Sequence, residues 1–291
     1  MHARKAFTLG DAIITIVVLF IILITLYPFI YVISMSLSSP EYVLSKQVYF
    51  MPKGFSIGSY QIILGEPDVI MAFKNSIWYT VVGTLVSISL TCSAAYVLSR
   101  PQFFLRRQLM FIFAITMFIS GGLIPLYVVV SELGLYNTRW SIILPYAVST
   151  FNLIVARTYF EGIPYSLDES AKLDGANDWT ILFKIILPLS KPIVAVMILF
   201  YGVGYWNSYF APLIFLADKE LQPIQLYLRS ILISNLMSGA SQSANVGIER
   251  ALMNEQLKYS TIVISVFPIT VLYPFVQKYF TQGVMIGAIK G

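Results

Sequence analysis

Residues 12–40 read AIITIVVLFIILITLYPFIYVISMSLSSP and contain no charged side chain. A helix needs about 20 apolar residues to cross the hydrocarbon core of a bilayer. This stretch is long enough to cross, and to tilt or extend past one face. Its apolar region is too long for a secretory signal, whose apolar core covers about 7–15 residues. We therefore expect an uncleaved anchor helix.

The whole chain has the composition of a membrane protein. Hydrophobic residues make up 57% of its 291 positions and charged residues only 11%, against roughly a quarter charged in soluble domains. Five further charge-free stretches reach membrane-spanning length: Asn75–Ser99, Gln108–Ser131, Trp140–Ala156, Pro192–Ala217 and Tyr259–Gln277. The sequence therefore predicts an all-α integral membrane protein with six transmembrane helices.

A seventh charge-free run, Ser230–Ile248, is rich in Ser, Asn and Gln. Each of these polar groups would need an internal partner in lipid, so we interpret the run as part of an aqueous loop, Asp218–Lys258. Within that loop, Ser238–Ser243 is flexible by composition, and Glu249–Lys258 is expected to form a short helix before span six.

Two other segments carry helix-breaking residues. The loop after the first span contains Pro40, Pro52 and Pro67, and we expect little regular structure there. Ser120–Pro125 in span three combines glycines with a proline, which predicts a kinked, tightly packed helix. Helix packing alone, or a helix lining a transport path, would each account for that segment.

The distribution of basic residues favours placing both termini in the cytoplasm. The short turn from Arg100 to Arg107 carries three positive charges, and short loops set orientation. Most lysines and arginines then lie inside: Arg4, Lys5, Arg100, Arg106, Arg107, Arg157, Lys172, Lys184, Lys191, Lys278 and Lys290. The net charge of +5 thus reflects topology and gives no case for nucleic acid.

No catalytic chemistry is indicated. The only histidine is His2, and the sequence lacks a metal-ligand cluster, a nucleophile triad and a phosphate-binding Gly-x-x-x-x-Gly-Lys loop. The lone cysteine, Cys92, is expected to pack inside span two. An ion-coupled secondary transporter usually places ionisable groups within its spans, and the six spans lack them. A membrane scaffold is a third alternative.

The segment after span four predicts two short helices outside the bilayer. Ser166 and Glu169 have the spacing of a capping box, and Gly175 can end the first helix. Asn177 or its neighbour can cap the second helix, which Pro188 ends. On that helix one apolar stripe is predicted, formed by Trp179, Leu182, Phe183 and Ile186. The stripe could pack on the protein's own spans, on lipid or on a partner.

This segment resembles the EAA loop of binding-protein-dependent ABC importer permeases, the helix pair that docks in a cleft of the ATPase subunit. The matching residues are Glu169, Ser170, Ala171, Asp174, Gly175, Ala176, Phe183, Leu187 and Pro188. Ser170 stands where the motif usually has alanine. The resemblance implies that Glu169, Ala171 and Gly175 contact the ATPase, although capping and turning a helix would also explain Glu169 and Gly175.

The C-terminal residues Gln277–Gly291 are similar to the ending of maltose-type sugar permeases, a tail that reaches between two ATPases. A disordered terminus is the alternative. Taken together, the resemblances imply a type I ABC importer permease fold in the bacterial inner membrane. They also imply a homologous second permease, two ATP-binding subunits and an extracytoplasmic sugar-binding protein. No cofactor is expected on this chain, since ATP and magnesium would bind the partner subunits.

Span five ends in aromatic residues that could contact a sugar. Aromatic faces stack on sugar rings and an amide can bond hydroxyls, but an interfacial aromatic belt is equally expected at this depth. The candidates for the substrate path are Tyr201, Tyr205, Trp206, Asn207 and Tyr209, with Tyr205 and Asn207 favoured because they lie deeper.

Two stretches, Ser120–Pro125 and Gly204–Ser208, are similar to importers of complex oligosaccharides such as alginate and aldouronate oligosaccharides. An oligosaccharide cargo is therefore predicted, with a simple disaccharide as the alternative. The predicted organisation is an anchor helix and first loop in residues 1–70. A five-helix core follows in residues 71–291, with a coupling loop at 161–191 and a tail at 278–291.

Overall fold

The computed structural model describes residues 8–238 and 255–274. Within them the chain is helical and forms no β-strand beyond an isolated bridge between Ser38 and Phe55. The helices are α1 (Leu9–Ser36), α2 (Pro40–Leu44), α3 (Gly58–Gly65), α4 (Pro67–Ser99), α5 (Arg106–Phe118), α6 (Leu123–Glu132), α7 (Trp140–Tyr146), α8 (Thr150–Glu161), α9 (Ser166–Leu173), α10 (Asp178–Leu189), α11 (Lys191–Trp206), α12 (Phe210–Phe215), α13 (Ile224–Ser238) and α14 (Glu255–Pro274).

Helix α1 is the predicted anchor. Its 28 residues correspond to about 42 Å, more than the thickness of the hydrocarbon core. Thr8 and Asp11 form a capping box at its start: the Thr8 backbone N–H donates to the Asp11 carboxylate, and the Asp11 N–H to the Thr8 hydroxyl. None of the residues in its most apolar window is buried within the chain. The helix therefore presents apolar side chains all around, as a lipid-facing span does.

Three described helices, α1, α4 and α14, are each long and apolar enough to cross a membrane. Three bent pairs pass the same test together: α5 with α6 (119°), α7 with α8 (52°) and α10 with α11 (88°). Five of the predicted stretches overlap these elements, but Pro192–Ala217 covers α11 and α12, whereas the bent pair joins α11 to α10. The count of six holds only if each bent pair contributes one span.

The predicted kink in span three is a complete break between α5 and α6. Gly122, which precedes α6, has φ +83°, a left-handed conformation that glycine adopts without strain. The expected tight packing is wrong for the described chain, because a Cβ at Gly122 would meet no atom within 4 Å and one at Gly121 only Pro125 at 3.9 Å.

The described residues divide into two compact units. The first unit holds residues 8–69, 228–238 and 255–267, and the second unit holds residues 70–227 and 268–274. The core of the second unit joins buried side chains of six helices, among them Ala95 of α4, Leu153 of α8, Ile181 of α10 and Met197 of α11. Cys92 is buried in the same core, which confirms its predicted packing role.

The loop after α1 is more ordered than its prolines suggested. It forms α2 and α3, and Val43 and Val48 pack with Met35 of α1 in a buried cluster. The predicted lack of regular structure is therefore wrong. Two of the three prolines stand at helix starts, where a missing N–H is harmless: Pro40 opens α2 and Pro67 opens α4.

Buried serines connect the same loop to α14 within the first unit. The Ser59 and Ser260 hydroxyls lie 2.7 Å apart, the Gln256 amide donates to the Ser38 carbonyl (2.7 Å), and the Tyr60 hydroxyl donates to Ser36 (2.7 Å). Each polar side chain thus has a partner inside the unit, which allows it to be buried.

The run Ser230–Ile248, interpreted as part of an aqueous loop, begins in a helix and not in irregular structure, and this helix is not among the candidate membrane spans. Residues up to Ser238 belong to α13, because Ile224, Leu226 and the residues that follow supply helix-forming apolar positions. Residues 239–254 lie outside the described residues, as does the tail 275–291 with its predicted role. The helix expected over Glu249–Lys258 coincides with α14 only from Glu255 onward.

Candidate functional site

Helix α9 ends in a Schellman motif at the predicted glycine. The Gly175 N–H donates to the Lys172 carbonyl (3.0 Å) and the Ala176 N–H donates to the Ala171 carbonyl (2.9 Å). Gly175 has φ +82°, so a residue with a Cβ would be strained there. The chain therefore reverses direction after α9, as the glycine predicts.

The predicted capping box at Ser166 is wrong. Tyr165 is the capping residue, no side chain caps the helix, and Ser166 is already its first helical residue. The helix starts one residue early because the backbone N–H groups of Asp168 and Glu169 both donate to the Tyr165 carbonyl. Glu169 is exposed and remains available for other contacts.

Helix α10 begins as predicted at Asn177, whose side-chain oxygen accepts from the Thr180 N–H (2.8 Å). It continues through a π-helical turn, Leu182–Ile186, to Leu189. Pro188 has no backbone N–H to donate to the carbonyl of Lys184, four residues earlier. This missing hydrogen bond favours the wider π-helical turn. Pro188 lies in the last turn, and the chain bends by 88° into α11.

The four stripe residues of α10 separate into two rows. Leu182 and Ile186 are buried in the core, whereas Trp179 and Phe183 are 62% and 55% exposed. The two exposed rings stack on each other, with centroids 5.9 Å apart and planes inclined by 16°. Leu173, at the end of α9, is 90% exposed. Leu182 and Ile186 thus pack loop 161–191 against the other helices of the core. Leu173, Trp179 and Phe183 form an apolar surface that is uncovered in the described chain.

The residues matched to the EAA motif are placed mostly on the outside of loop 161–191. Glu169, Ser170, Asp174, Gly175, Phe183 and Pro188 are exposed, Ala176 and Leu187 are half-buried, and Ala171 is buried. Ala171 packs in the core of the second unit. Its small side chain therefore lets α9 approach the other helices, and its exposed neighbours form the outer face.

Sequence reasoning missed a buried ion pair beneath α9. Asp168 has a 1% exposed side chain and lies 2.9 Å from Nε of Arg100, the residue that follows α4. The Tyr96 hydroxyl donates to the same carboxylate oxygen (3.1 Å), and the guanidinium carbon lies 4.7 Å from the centre of the Tyr96 ring. The contact is a charge pair and not an aligned hydrogen bond, because the Arg100 N–H does not point at the oxygen.

A second ion pair of the loop is exposed. Lys172 lies 3.1 Å from Asp178, and the hydrogen bond to this carboxylate raises the pKa of Lys172 above its usual value. Both side chains are largely in water, where such pairs contribute little. The small stabilisation is present at neutral pH and is lost as pH rises through that raised value.

A cavity of about 680 Å³ opens where α7, α8 and the end of α11 meet. We call it the tyrosine cavity. Its lining contains four of the tyrosines and polar residues Ser149, Asn152, Asn207 and Ser208, and no lysine or arginine. A space of this size with few polar groups suits a small organic ligand.

The predicted substrate-path residues occupy different positions around this cavity. The Tyr201 hydroxyl contacts Thr91 of α4 (2.7 Å) and accepts from the Ser149 N–H (3.0 Å). The Tyr205 hydroxyl lies 2.9 Å from Ser87. These hydroxyls are thus directed at neighbouring helices, and the rings face the cavity.

The other three candidates divide between cavity and core. Asn207 and Tyr209 line the cavity and are exposed. Trp206 is buried, with its ring 5.5 Å from that of Phe73. Asn207 is also the residue that ends α11, so the predicted span Pro192–Ala217 is interrupted at this point before α12.

Helix α4 supports the cavity through a close approach at Gly83. A Cβ at Gly83 would lie 2.8 Å from the Tyr205 ring, so only glycine lets the ring lie this close to α4. This contact was not predicted. The signal for it is a lone glycine in the middle of a long apolar helix.

Three helices that are long and apolar enough to cross a membrane, and three bent pairs that pass the same test together, indicate an integral membrane protein. Residues 69–286 match the family of binding-protein-dependent transport system inner membrane components. The chain belongs to this family. It is accordingly a membrane-spanning, non-catalytic component of an ABC transporter.

Similar proteins extend this result along nearly the whole chain. The polygalacturonan/rhamnogalacturonan transport system permease protein of Bacillus subtilis is 42% identical over 270 residues, covering 92% of this chain and 94% of its own length. An arabinooligosaccharides transport system permease protein of Halalkalibacterium halodurans is 26% identical over 293 residues, covering 99% of each chain.

A solved structure agrees with the fold. The crystal structure of a bacterial ABC transporter involved in the import of the acidic polysaccharide alginate contains a chain with a TM-score of 0.85 and 33% identity. The match covers 96% of this chain and 99% of that chain.

Proposed function

We propose that this chain is the permease subunit of an ATP-driven importer of oligosaccharides. The family membership supports the cargo class, as do the relatives named for transport of polygalacturonan/rhamnogalacturonan and arabinooligosaccharides and the neighbour involved in the import of alginate. The observation that carries the coupling role is the uncovered apolar surface Leu173, Trp179 and Phe183 on an otherwise attached loop. Exposed apolar patches of this kind mark docking surfaces.

In this proposal loop 161–191 faces the cytoplasm and docks on an ATP-binding subunit. The exposed residues Glu169, Ser170, Asp174, Gly175, Phe183 and Pro188 form the contact, with Ala176 and Leu187 at its edge. Ala171 contributes by its small size and not by direct contact. Both termini lie in the cytoplasm. Hydrolysis of ATP takes place on two partner subunits, since this chain is the non-catalytic component.

The cargo passes beside the tyrosine cavity. Asn207 and Tyr209 line it with exposed side chains, and the rings of Tyr201 and Tyr205 form part of its wall. Ring faces suit the apolar faces of sugars, and the Asn207 amide can bond hydroxyls. The lining holds no lysine or arginine, so a charged sugar would be selected by the extracytoplasmic binding protein and the second permease.

Reconstitution of the complete complex in vesicles tests this function. We expect oligosaccharide uptake that requires ATP and the binding protein and that continues when ion gradients are abolished. Uptake that follows an ion gradient without ATP would overturn the proposal.

The substrate path has its own test in the same vesicles. Asn207→Ala removes the amide at the cavity and is expected to lower oligosaccharide uptake. Trp206→Ala removes a buried ring instead and is expected to act through stability of the complex. If Asn207→Ala leaves uptake unchanged at every sugar concentration, the span-five residues serve only as anchors.

A further inference from the structure

Helix α9, which carries the EAA-like residues, has few attachments to the rest of the chain. Of its eight residues only Asp168 and Ala171 are buried. Ala171 offers a single methyl group. The strongest candidate for a fixed connection is therefore Asp168, whose carboxylate is held by Arg100 and Tyr96.

The Arg100–Asp168 pair is poorly arranged for stability. Nη2 of Arg100 and Oδ1 of Asp168 are buried and have no hydrogen-bond partner among the described residues. The desolvation of two charges offsets most of their attraction in such a pair. Its location suggests a different use, since it joins α9 to the residue immediately after α4.

Helix α4 leads from this pair to the tyrosine cavity. Two and three turns before its end, Thr91 and Ser87 contact the hydroxyls of Tyr201 and Tyr205. Both rings form part of the cavity wall. The contacts to α9 and the contacts to the cavity wall therefore lie on the same helix, α4, and its backbone connects them.

We propose that the buried Arg100–Asp168 pair is the link through which displacement of loop 161–191 moves α4 and, with it, the wall of the tyrosine cavity. Arg100 and Asp168 are positioning residues, because neither contacts the cavity. The inference rests on the proposed function, in which an ATPase displaces this loop. Removal of the link should leave docking and ATP hydrolysis in place and disconnect them from transport.

The test is Asp168→Asn in the complete complex in vesicles, with ATP hydrolysis and oligosaccharide uptake measured together. The change removes one charge with little change in volume and leaves the exposed apolar surface intact. We expect the number of ATP molecules hydrolysed per sugar to rise about fivefold or more, the range of typical coupling between sites. An unchanged ratio in the assembled variant would overturn the inference.

A second readout separates positioning from folding. Asn207→Cys places a reactive thiol at the cavity, and the native Cys92 is buried, so labelling of this chain reports the new site. In the otherwise unaltered complex we expect ATP to change the labelling rate. In combination with Asp168→Asn this ATP response should disappear. A purely structural role would reduce the amount of complex and leave the response of the remainder intact.

Asp178→Asn is the matched control. It makes the same chemical change in the same loop but breaks the exposed pair with Lys172, and we expect the ATP-to-sugar ratio to equal that of the unaltered complex. An equal rise in both variants would overturn the inference, because loop charge in general would then be responsible.

Failure of the variant to assemble and failure of the unaltered complex to transport have different consequences. If the Asp168→Asn complex does not assemble, Tyr96→Phe replaces it, because this change removes only the hydroxyl that donates to Asp168. It should raise the ATP-to-sugar ratio about twofold. An unchanged ratio together with an unchanged labelling response would count against the link. If the unaltered complex transports no oligosaccharide with ATP, the proposed function itself fails, whereas intact coupling in Asp168→Asn defeats this inference alone.

Discussion

The serine-rich core of the first unit and loop 161–191 of the second unit use polar residues in opposite ways. In the first unit Ser38, Ser59 and Ser260 are buried and hydrogen-bonded within the unit. The buried side-chain atoms without a partner in the described chain all belong to the second unit, and three of the six are in the Arg100–Asp168 pair. The buried serines of the first unit find their hydrogen-bond partners within that unit. Loop 161–191 instead leaves buried polar atoms without a partner and aromatic rings exposed in the described chain.

The largest expected effect comes from Gly175→Val at the exposed end of α9. Valine is strained at φ +82° and adds bulk to the proposed docking face. We expect uptake by the reconstituted complex to fall about tenfold or more while the helices remain folded.

Gly134→Val is its matched control, because Gly134 has φ +66° and equally open space around its Cβ. It introduces similar strain between α6 and α7. Uptake should be retained in that variant. A similar loss in both variants would mean that backbone strain alone explains the result.

The two rows of α10 give the next prediction. Leu182→Ala opens a cavity in the core and should lower the free energy of unfolding by about 2–5 kcal/mol. Trp179→Ala should change it by only about 0.5 kcal/mol and instead weaken binding of the ATPase subunit. Thermal unfolding of the purified chain in detergent and co-purification of the ATPase measure the two effects. The division into rows is wrong if Trp179→Ala is the more destabilising change.

Gly83→Ala tests the contact between α4 and the tyrosine cavity. The added methyl group must displace the Tyr205 ring, which should cost about 1–3 kcal/mol of stability. Gly204→Ala, in α11 with open space around its Cβ, should be neutral or slightly stabilising. Unfolding midpoints of the two variants provide the comparison, and equal midpoints would argue against close packing at Gly83.

Ser59→Ala in the first unit should have the smallest effect on transport. It removes one hydrogen bond and costs about 1 kcal/mol of stability, because Ser260 keeps carbonyl acceptors at Gln256 and Ser36. The ATP-to-sugar ratio should be unaltered. The exposed Ser45→Ala serves as the reference for stability. A changed ratio in Ser59→Ala would show that the first unit also takes part in coupling.

Much of the fold follows from short-range patterns. The length of an apolar run predicts α1 and α4, and the local requirements of Gly175 and Asn177 predict the end of α9 and the start of α10. These signals act within a few residues, so sequence alone contains them. The cap at Ser166 was wrong because several starting residues are compatible with one helix.

The remaining features depend on contacts between distant residues. Arg100 and Asp168 are 68 positions apart, and a basic residue after a span looks like a topology signal until its partner is known. The prolines after α1 likewise predicted a loop with little regular structure, because the hydrogen-bond partners of Ser38 and Ser59 on α14 are far away in sequence. Buried polar pairs of this kind are the part of the candidate site that spacing and composition do not reveal.

The 88° bend at Ser190 gives α10 and α11 the form of an elbow. The 16 residues of α11 make an arm of about 24 Å, and its far end carries Tyr205 and stops beside Asn207. A rotation of about 5° at the elbow would move that end by about 2 Å, since displacement grows with arm length. A rotation that is small near Ser190 would thus move the cavity end of α11 by a distance comparable to the length of a hydrogen bond, enough to form or break one.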